Sequence, residues 1–477
     1  MKAPKLRSQI TKEWVEYILN DYENRENLEG KPVTVTVKTY ETNDVGEAGA
    51  GYVGDMVKLL VNVSVNDSSL GKDAKEDRKY NLCVKLMNPD PGGQIMHQEM
   101  GINFRELIMY SSAVTALNKF QEKHSNDEYR LNIPKFIYGK WTEKEFVLVM
   151  ENVKVNGFNN VPKKDGLNLQ QAKAIVENLA KLHAVSYAYT KSNNFLEKFP
   201  CYENNKNMKV MNDFGMGLGI DLMSRFLKTQ KDKTELANKL KVNKDAIVNK
   251  LKEYYEDVNK HKITCLIHGD AWSNNFMFKE ISNENDGQTF QLQMVDWQMT
   301  YWNTPTIDLQ YLLTTSTTGE FRRTHLDDVL RHYHATFTTA TTKMGAPLSN
   351  WNFRIFKSEY ERASYHGILK GLFVVLVTQS ETGTKFQEIS QSHQNSKVKK
   401  TLLKMTAKAM IPIMHSSIYT SMMDGTMIHY LGPIVEEMKS GKNKNLVDRV
   451  MDIVNEADEK GLFDVDSIRP GCLPACV

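Results

Sequence analysis

The segment His268-Gly-Asp270-Ala-Trp-Ser-Asn-Asn275 places a carboxylate five residues before an asparagine. Val295-Asp296-Trp297 closes a short apolar run with a second carboxylate. Transfer of the γ-phosphoryl group of ATP to an alcohol needs both kinds of oxygen. One must accept the attacking hydroxyl's proton, and others must ligate magnesium. Asp270 suits the base. Asn275 and Asp296 suit the metal, because hard cations take oxygen donors. Histidine, one residue, aspartate, four residues, asparagine, then an aspartate ending a strand is the catalytic-loop spacing of kinases. His268 itself is expected to be a buried, hydrogen-bonded structural histidine.

Three further pieces occur in the order this chemistry requires. Gly49-Ala-Gly51-Tyr-Val-Gly54 has the glycine spacing of both dinucleotide sites and kinases. A dinucleotide site needs a helix directly after it. Here Val57, Leu59, Val61, Val63 and Val65 alternate as a strand does, so Gly49, Gly51 and Gly54 are expected in a hairpin turn over phosphates. Lys85 falls on the next strand and Glu106 on the helix after it. A lysine there reaches the α- and β-phosphates, and a glutamate holds it in place. The apolar run Phe146 to Met150 leads into a polar connection, where adenine is expected to bond backbone groups near Glu151 and Val153.

These residues need a scaffold, and the periodicities describe one. Val33 to Val37 alternates as a strand, and Asn81 to Met87 reads as a third strand after a polar hairpin loop from Asn66 to Lys79. Asn88 to Gly93 reads as a loop. Phe104 to Phe120 has helical spacing, and Lys135 to Trp141 and Glu145 to Met150 read as two more strands. Leu169 to Tyr187 is an amphipathic helix with Asn168 as its N-cap. Helical patterns dominate Asp213 to Tyr255 and again from His325 onward. Between them lies a β-rich island of Thr264 to Ile267, Phe276 to Phe278 and Leu292 to Val295, with a polar loop from Asn283 to Gln288. The expected class is α+β and two-lobed: a mainly β N-lobe over 1–152 and a larger helical C-lobe over 153–477.

With these motifs in hand, the chain resembles the ecdysteroid-kinase-like (CHK kinase-like) family of invertebrates. That family lies in the aminoglycoside phosphotransferase and choline kinase branch of the protein-kinase-like fold. Ile267 to Phe278 carries the most specific part, extended by Val295-Asp-Trp-Gln298, Pro305 to Leu313, Phe104 to Tyr110 and Leu179 to Ala184. The chain departs from the family pattern at Gly51 and Gly54, where asparagine and serine are usual, and at Trp297 and Ala271. The resemblance implies an ecdysteroid or another lipophilic alcohol as acceptor. It also implies that Asp308 braces the catalytic loop.

Only eleven residues separate Asp296 from Asp308, too few for the segment on which a protein kinase lays its peptide. A choline- or ethanolamine-type kinase would need an aromatic cage for the ammonium, to which Tyr301, Trp302 and Tyr311 are candidates. A nucleotide- or ligand-binding scaffold without turnover is the non-enzyme alternative. A net charge of +3 over 477 residues gives no reason to expect nucleic acid or a membrane surface as partner. Five scattered cysteines, Cys83, Cys201, Cys265, Cys472 and Cys476, fit a reduced cytoplasmic setting. The longest apolar run, Leu372 to Val377, is far too short to cross a bilayer. A cytoplasmic monomer using ATP and Mg2+ is expected.

Overall fold

The computed structural model describes the chain apart from residues 28–31, 45–55, 68–74, 89–90, 206, 208–214, 257–259, 284–286, 384–404, 407, 409, 414–415 and 465–477. Five strands, β1 (Val33–Asp44), β2 (Met56–Asp67), β3 (Lys75–Leu86), β4 (Phe136–Thr142) and β5 (Glu145–Glu151), form one sheet in the order β1-β2-β3-β5-β4. Every neighbouring pair is antiparallel. Alternation sorts their side chains. Val33, Val35, Val37, Val57 to Val65 at every second residue, Val147 and Val149 pack under helix α1 (Lys12–Glu26). Phe146, Leu148 and Met150 face the opposite way, into the core shared with the helical lobe.

The expected hairpin loop from Asn66 to Lys79 is shorter than its polarity suggests. β2 runs to Asp67 and β3 begins at Lys75. There β2 stays buried through Val65 while its partner β3 is polar: Arg78 pairs with Glu76 and with Glu23 of α1, and Lys38 pairs with Asp77. The expected loop at Asn88 to Gly93 also ends early, because helix α2 (Pro91–Glu99) starts within it. The expected helix from Phe104 to Phe120 is α3 (Ile102–Ile108), a π-helical turn at Met109–Ala113, and α4 (Val114–Ser125). The wider turn re-phases the apolar stripe, so Leu107, Tyr110, Ala113, Val114 and Leu117 are all buried.

In the larger lobe, α5 (Leu169–Ser192) starts at a capping box between Asn168 and Gln171. Helices α6 (Met216–Leu227) and α7 (Thr234–Glu256) precede the β-rich island. That island holds β6 (Cys265–Ile267), β7 (Phe276–Asn283), β8 (Gly287–Met294) and an additional strand, β9 (Tyr301–Asn303), paired with β6. Strands β7 and β8 extend into the expected polar loop at Asn283 to Gln288. Then come α8 (Thr306–Ser316), α9 (Gly319–Lys343), α10 (Phe353–Arg362), α11 (Ser364–Gln379), α12 (Ser417–Leu431), α13 (Pro433–Lys439) and α14 (Lys444–Glu459).

Helix α8 is buried on every side. The carbonyls at a helix C-terminus lack intrahelical partners, and here two arginines supply them. Arg322 Nη1 donates to the Leu313 and Thr317 carbonyls, at 3.3 and 2.9 Å, and Arg449 Nη2 from α14 donates to Thr315 at 2.6 Å. Arg322 also pairs with Glu456 of α14 at 2.7 Å. Leu372, Val375 and Leu376 of α11 fill the core, while Phe373, Val374 and Val377 are half-buried. Among the described residues, Cys83, Cys201 and Cys265 are free thiols and no helix is long and apolar enough to cross a membrane.

Candidate active site

Two sets of side chains meet between the sheet and the β-rich island. From the sheet side, Lys85 Nζ donates to both oxygens of Glu106, at 2.9 and 2.7 Å. Only 7% of Lys85 and 1% of Glu106 is exposed. Lys85 lies on β3 with its ammonium turned inward, and α3 brings Glu106 beneath it. The same ammonium reaches Asp296 Oδ1 at 3.2 Å. Burial opposes the charge on Lys85, but Asp296 and Glu106 more than offset it and raise its pKa. Burial also pushes the Glu106 carboxyl up, with Asp296 adding to it against the pull of Lys85.

Asp296 itself sits in left-handed backbone, φ 63°, which an aspartate tolerates better than most residues. It lies two residues past the end of β8, and Gln298 Nε2 donates to its second oxygen at 3.4 Å. Asn275 lies close in the chain fold, since its carbonyl accepts from the Val295 amide at 3.0 Å.

Asp270 is held by two donors. Asn275 Nδ2 donates to its Oδ2 at 2.9 Å and to its carbonyl at 2.8 Å. Tyr311 of α8 donates its hydroxyl to Oδ1 at 2.8 Å. Burial pushes the Asp270 carboxyl above the ordinary range and the charge of Asp296 adds to that, while Tyr311, His268 and Asn275 pull it back only in part.

The loop carrying Asp270 needs a glycine. Gly269 has φ 78°, and a Cβ there would lie 2.1 Å from the Met299 carbonyl oxygen. Asp308, fully buried, accepts from the His268 amide at 2.7 Å, the Gly269 amide at 2.9 Å and His183 Nε2 at 3.1 Å. Burial would raise its carboxyl, but the His183 bond leads the contributions that hold it below the ordinary range. His183 is turned by Tyr333, whose hydroxyl lies 2.9 Å from Nδ1. His268 is buried with Nε2 3.0 Å from the Val295 carbonyl, tying the end of β6 to the end of β8.

At the expected adenine edge, the Glu151 amide is committed to the Lys135 carbonyl at 2.9 Å and its side chain to Asn156 at 2.6 Å. Val153 opens a 3-10 turn, so its amide is a first-turn donor with no intrahelical partner. Gly49, Gly51 and Gly54 lie outside the described residues. Tyr301, Trp302 and Tyr311 do not converge. Tyr301 and Trp302 are successive on β9 and point to opposite faces: Tyr301 joins the core around α6 and α7, and Trp302 packs against Phe195. Tyr311 turns to Asp270.

Among the described residues, no cluster of three histidine, cysteine, aspartate or glutamate side chains is placed to hold a metal alone. Asn275 and Asp296 fit magnesium nonetheless. Asn275 spends its amide nitrogen on Asp270, leaving its oxygen as ligand atom. Magnesium binds through one or two protein oxygens and completes its shell with phosphates and water. Sequence spacing brought out Lys85, Glu106, Asp270, Asn275 and Asp296, and the family resemblance brought out Asp308. It did not bring out Tyr311 as a partner of Asp270, His183 as a partner of Asp308, or Ser316, whose Oγ accepts the Ser273 amide at 2.9 Å.

A five-stranded sheet set over a helical lobe, with a lysine–glutamate pair reaching across to the β-rich island, places the chain in the class of small-molecule kinases. The ecdysteroid kinase-like family model matches residues 48–346, well over half of the chain, and the chain belongs to that family. No curated protein matches in sequence. Among solved structures, an aminoglycoside phosphotransferase from Streptomyces rimosus is 12% identical over 65% of this chain and 89% of its own, with TM-score 0.30. The GDP complex of wild-type aminoglycoside 2'-phosphotransferase-IIIa is 12% identical over 80% and 97%, with TM-score 0.37. A glucosamine kinase is 11% identical over 84% of both chains, with TM-score 0.30.

Proposed function

We propose that this chain moves the γ-phosphoryl group of ATP to a hydroxyl of a small lipophilic alcohol of the ecdysteroid kind, with Asp270 as base. Residues 1–152 form the nucleotide lobe and 153–477 the catalytic and acceptor lobe. The carrying observation is that Lys85 touches Glu106 and Asp296 at once. That contact joins the phosphate-binding half to the loop pair of Asp296 and Asn275, next to Asp270.

In this reading the acceptor's oxygen attacks the γ-phosphorus as Asp270 takes its proton. A new O–P bond forms, the bond from phosphorus to the β–γ bridging oxygen breaks, and ADP leaves with the electron pair. Lys85 neutralises the α- and β-phosphates, and Gly49, Gly51 and Gly54 cover them. Adenine pairs with backbone at Glu151 and Val153. Asn275 and Asp296 hold magnesium, which when bound offsets the phosphate charge. A choline cage built from Tyr301, Trp302 and Tyr311 is not supported, since the three diverge.

The test incubates the purified chain with γ-labelled ATP and magnesium, against a steroid-rich lipid extract, choline, and a mixed protein substrate. Label entering the lipid fraction, and lost in Asp296→Ala, is the expected result. Label entering protein alone rejects the small-molecule reading, and label entering choline alone favours the choline-type kinase.

A further inference from the structure

Packing alone does not require a hydroxyl at residue 311. A phenylalanine would fill the same volume in a helix that is buried all round. Yet Tyr311 is only 7% exposed, and its hydroxyl spends its hydrogen on Asp270 Oδ1.

The rest of α8 tells what that bond is for. The helix runs along the catalytic loop and touches it in sequence order. Asp308, in the first turn, bonds the amides of His268 and Gly269. Tyr311, three residues on and so on the same face, bonds the side chain of Asp270. Ser316, at the far end, accepts the amide of Ser273. One rigid rod thus fixes the loop's backbone before and after the base, and the base's side chain between them. Tyr311 is itself held: its ring lies 5.9 Å from that of His366 on α11, and His366 Nδ1 is hydrogen-bonded to Tyr255 of α7.

We propose that Tyr311 is a positioning residue for the base. The terminal torsion of an aspartate is soft and two-fold, so a carboxylate anchored on one oxygen swings. Asn275 anchors Oδ2 and Tyr311 anchors Oδ1. Each oxygen has two lone-pair sites, so one on each stays open, aimed in a fixed direction at the acceptor's hydroxyl. The bonds are charge-assisted and therefore stronger than neutral ones. The proposal rests on Asp270 being the base.

The experiment compares wild type, Tyr311→Phe, Asp270→Asn and the double variant as full chains. Each is given γ-labelled ATP and magnesium, with the lipid extract as acceptor and with water alone, read as released phosphate. Tyr311→Phe is expected to lower kcat by about tenfold to a hundredfold, the cost of a misaligned reacting group, with KM for ATP within about twofold of wild type. The double variant is expected to be no slower than Asp270→Asn, because Tyr311 acts only through that carboxylate. Wild-type kcat in Tyr311→Phe while Asp270→Asn is dead overturns the role of Tyr311 and leaves the base in place. Multiplied losses in the double variant, or a raised KM for ATP with kcat unchanged, also overturn it. Wild-type kcat in Asp270→Asn removes the base assignment, and the inference with it. Label that never leaves ATP in any wild-type arm counts against the kinase reading itself and equally removes the inference.

Discussion

The two halves of the site are tied together differently. On the sheet side, one buried ammonium, Lys85, is shared between two carboxylates, hydrogen-bonded to both oxygens of Glu106 and 3.2 Å from Asp296. Its partners come from a helix that continues into a π-turn and from a loop on the other lobe. On the helical side, Asp270 and its loop are fixed by directed hydrogen bonds, four of them to α8, and α8 is capped by two arginines. Charge acts over distance and tolerates movement between its carriers. Hydrogen bonds demand alignment within a few tenths of an ångström. In the proposed reading, the phosphate-binding half can therefore adjust through the 3.2 Å Lys85–Asp296 contact as nucleotide arrives, and the base-bearing half stays still.

The largest effect should come from the rigid half. Asp270→Asn keeps the shape and the Tyr311 and Asn275 neighbours but cannot take a proton. Turnover should fall by about 10²–10⁴-fold while ATP affinity, measured by calorimetry, stays near wild type. Retained turnover would erase the contrast.

Next, Asp308→Ala leaves two buried amides and His183 without their acceptor. Unfolding in urea should show a loss of about 3 kcal/mol or more. A loss under about 1 kcal/mol would mean that the loop is not braced from α8.

A smaller effect is expected in the adjustable half. Lys85→Ala and Glu106→Ala should each weaken ATP use, and the double variant should be little worse than the worse single one, a coupling of about 1–3 kcal/mol. Additive losses would show that the pair does not work as a unit.

Acidification should then separate the halves by sign. Glu106 has a raised pKa, so the fold binds its proton more readily than the unfolded chain does. Its contribution is fully present at low pH and is lost as pH rises through the folded value. Asp308 has a lowered pKa. Its contribution is present above the unfolded value, and is lost only as pH falls through the folded one. Each slope is at most about 1.4 kcal/mol per pH unit. Carboxyl-carbon NMR titration should find Glu106 protonating first and Asp308 last; the reverse order would contradict both environments.

Much of this was legible in the sequence where the signal is local. Val33 to Val37 and Val57 to Val65 alternate because one face of the sheet is covered by α1. Asp270 and Asn275 lie within one short loop, so their spacing survives in the sequence. Helix α1 was legible too: Thr11 accepts the Trp14 amide, and Val15, Ile18, Leu19 and Tyr22 follow at helical spacing, but the expected order of elements began at β1.

Tyr311 and Ser316 were hidden for a physical reason. A helix buried on all sides has no polar face against which a functional side chain stands out. The Lys85–Asp296 contact spans 211 positions, and no periodicity carries information that far. The start of β3 was hidden because Lys75, Glu76, Asp77 and Lys79 are all exposed and show no apolar alternation.

The arginine caps on α8 also set an order of events in the cell. Ser273 leaves the ribosome long before Arg449, and at about 5–20 residues per second the gap is on the order of ten to thirty seconds. During that interval the Thr315 carbonyl of the helix that braces the catalytic loop lacks its arginine. In the proposed reading, the nascent chain thus carries its nucleotide lobe before the brace behind Asp270 is complete, and α14 is the described helix that completes it.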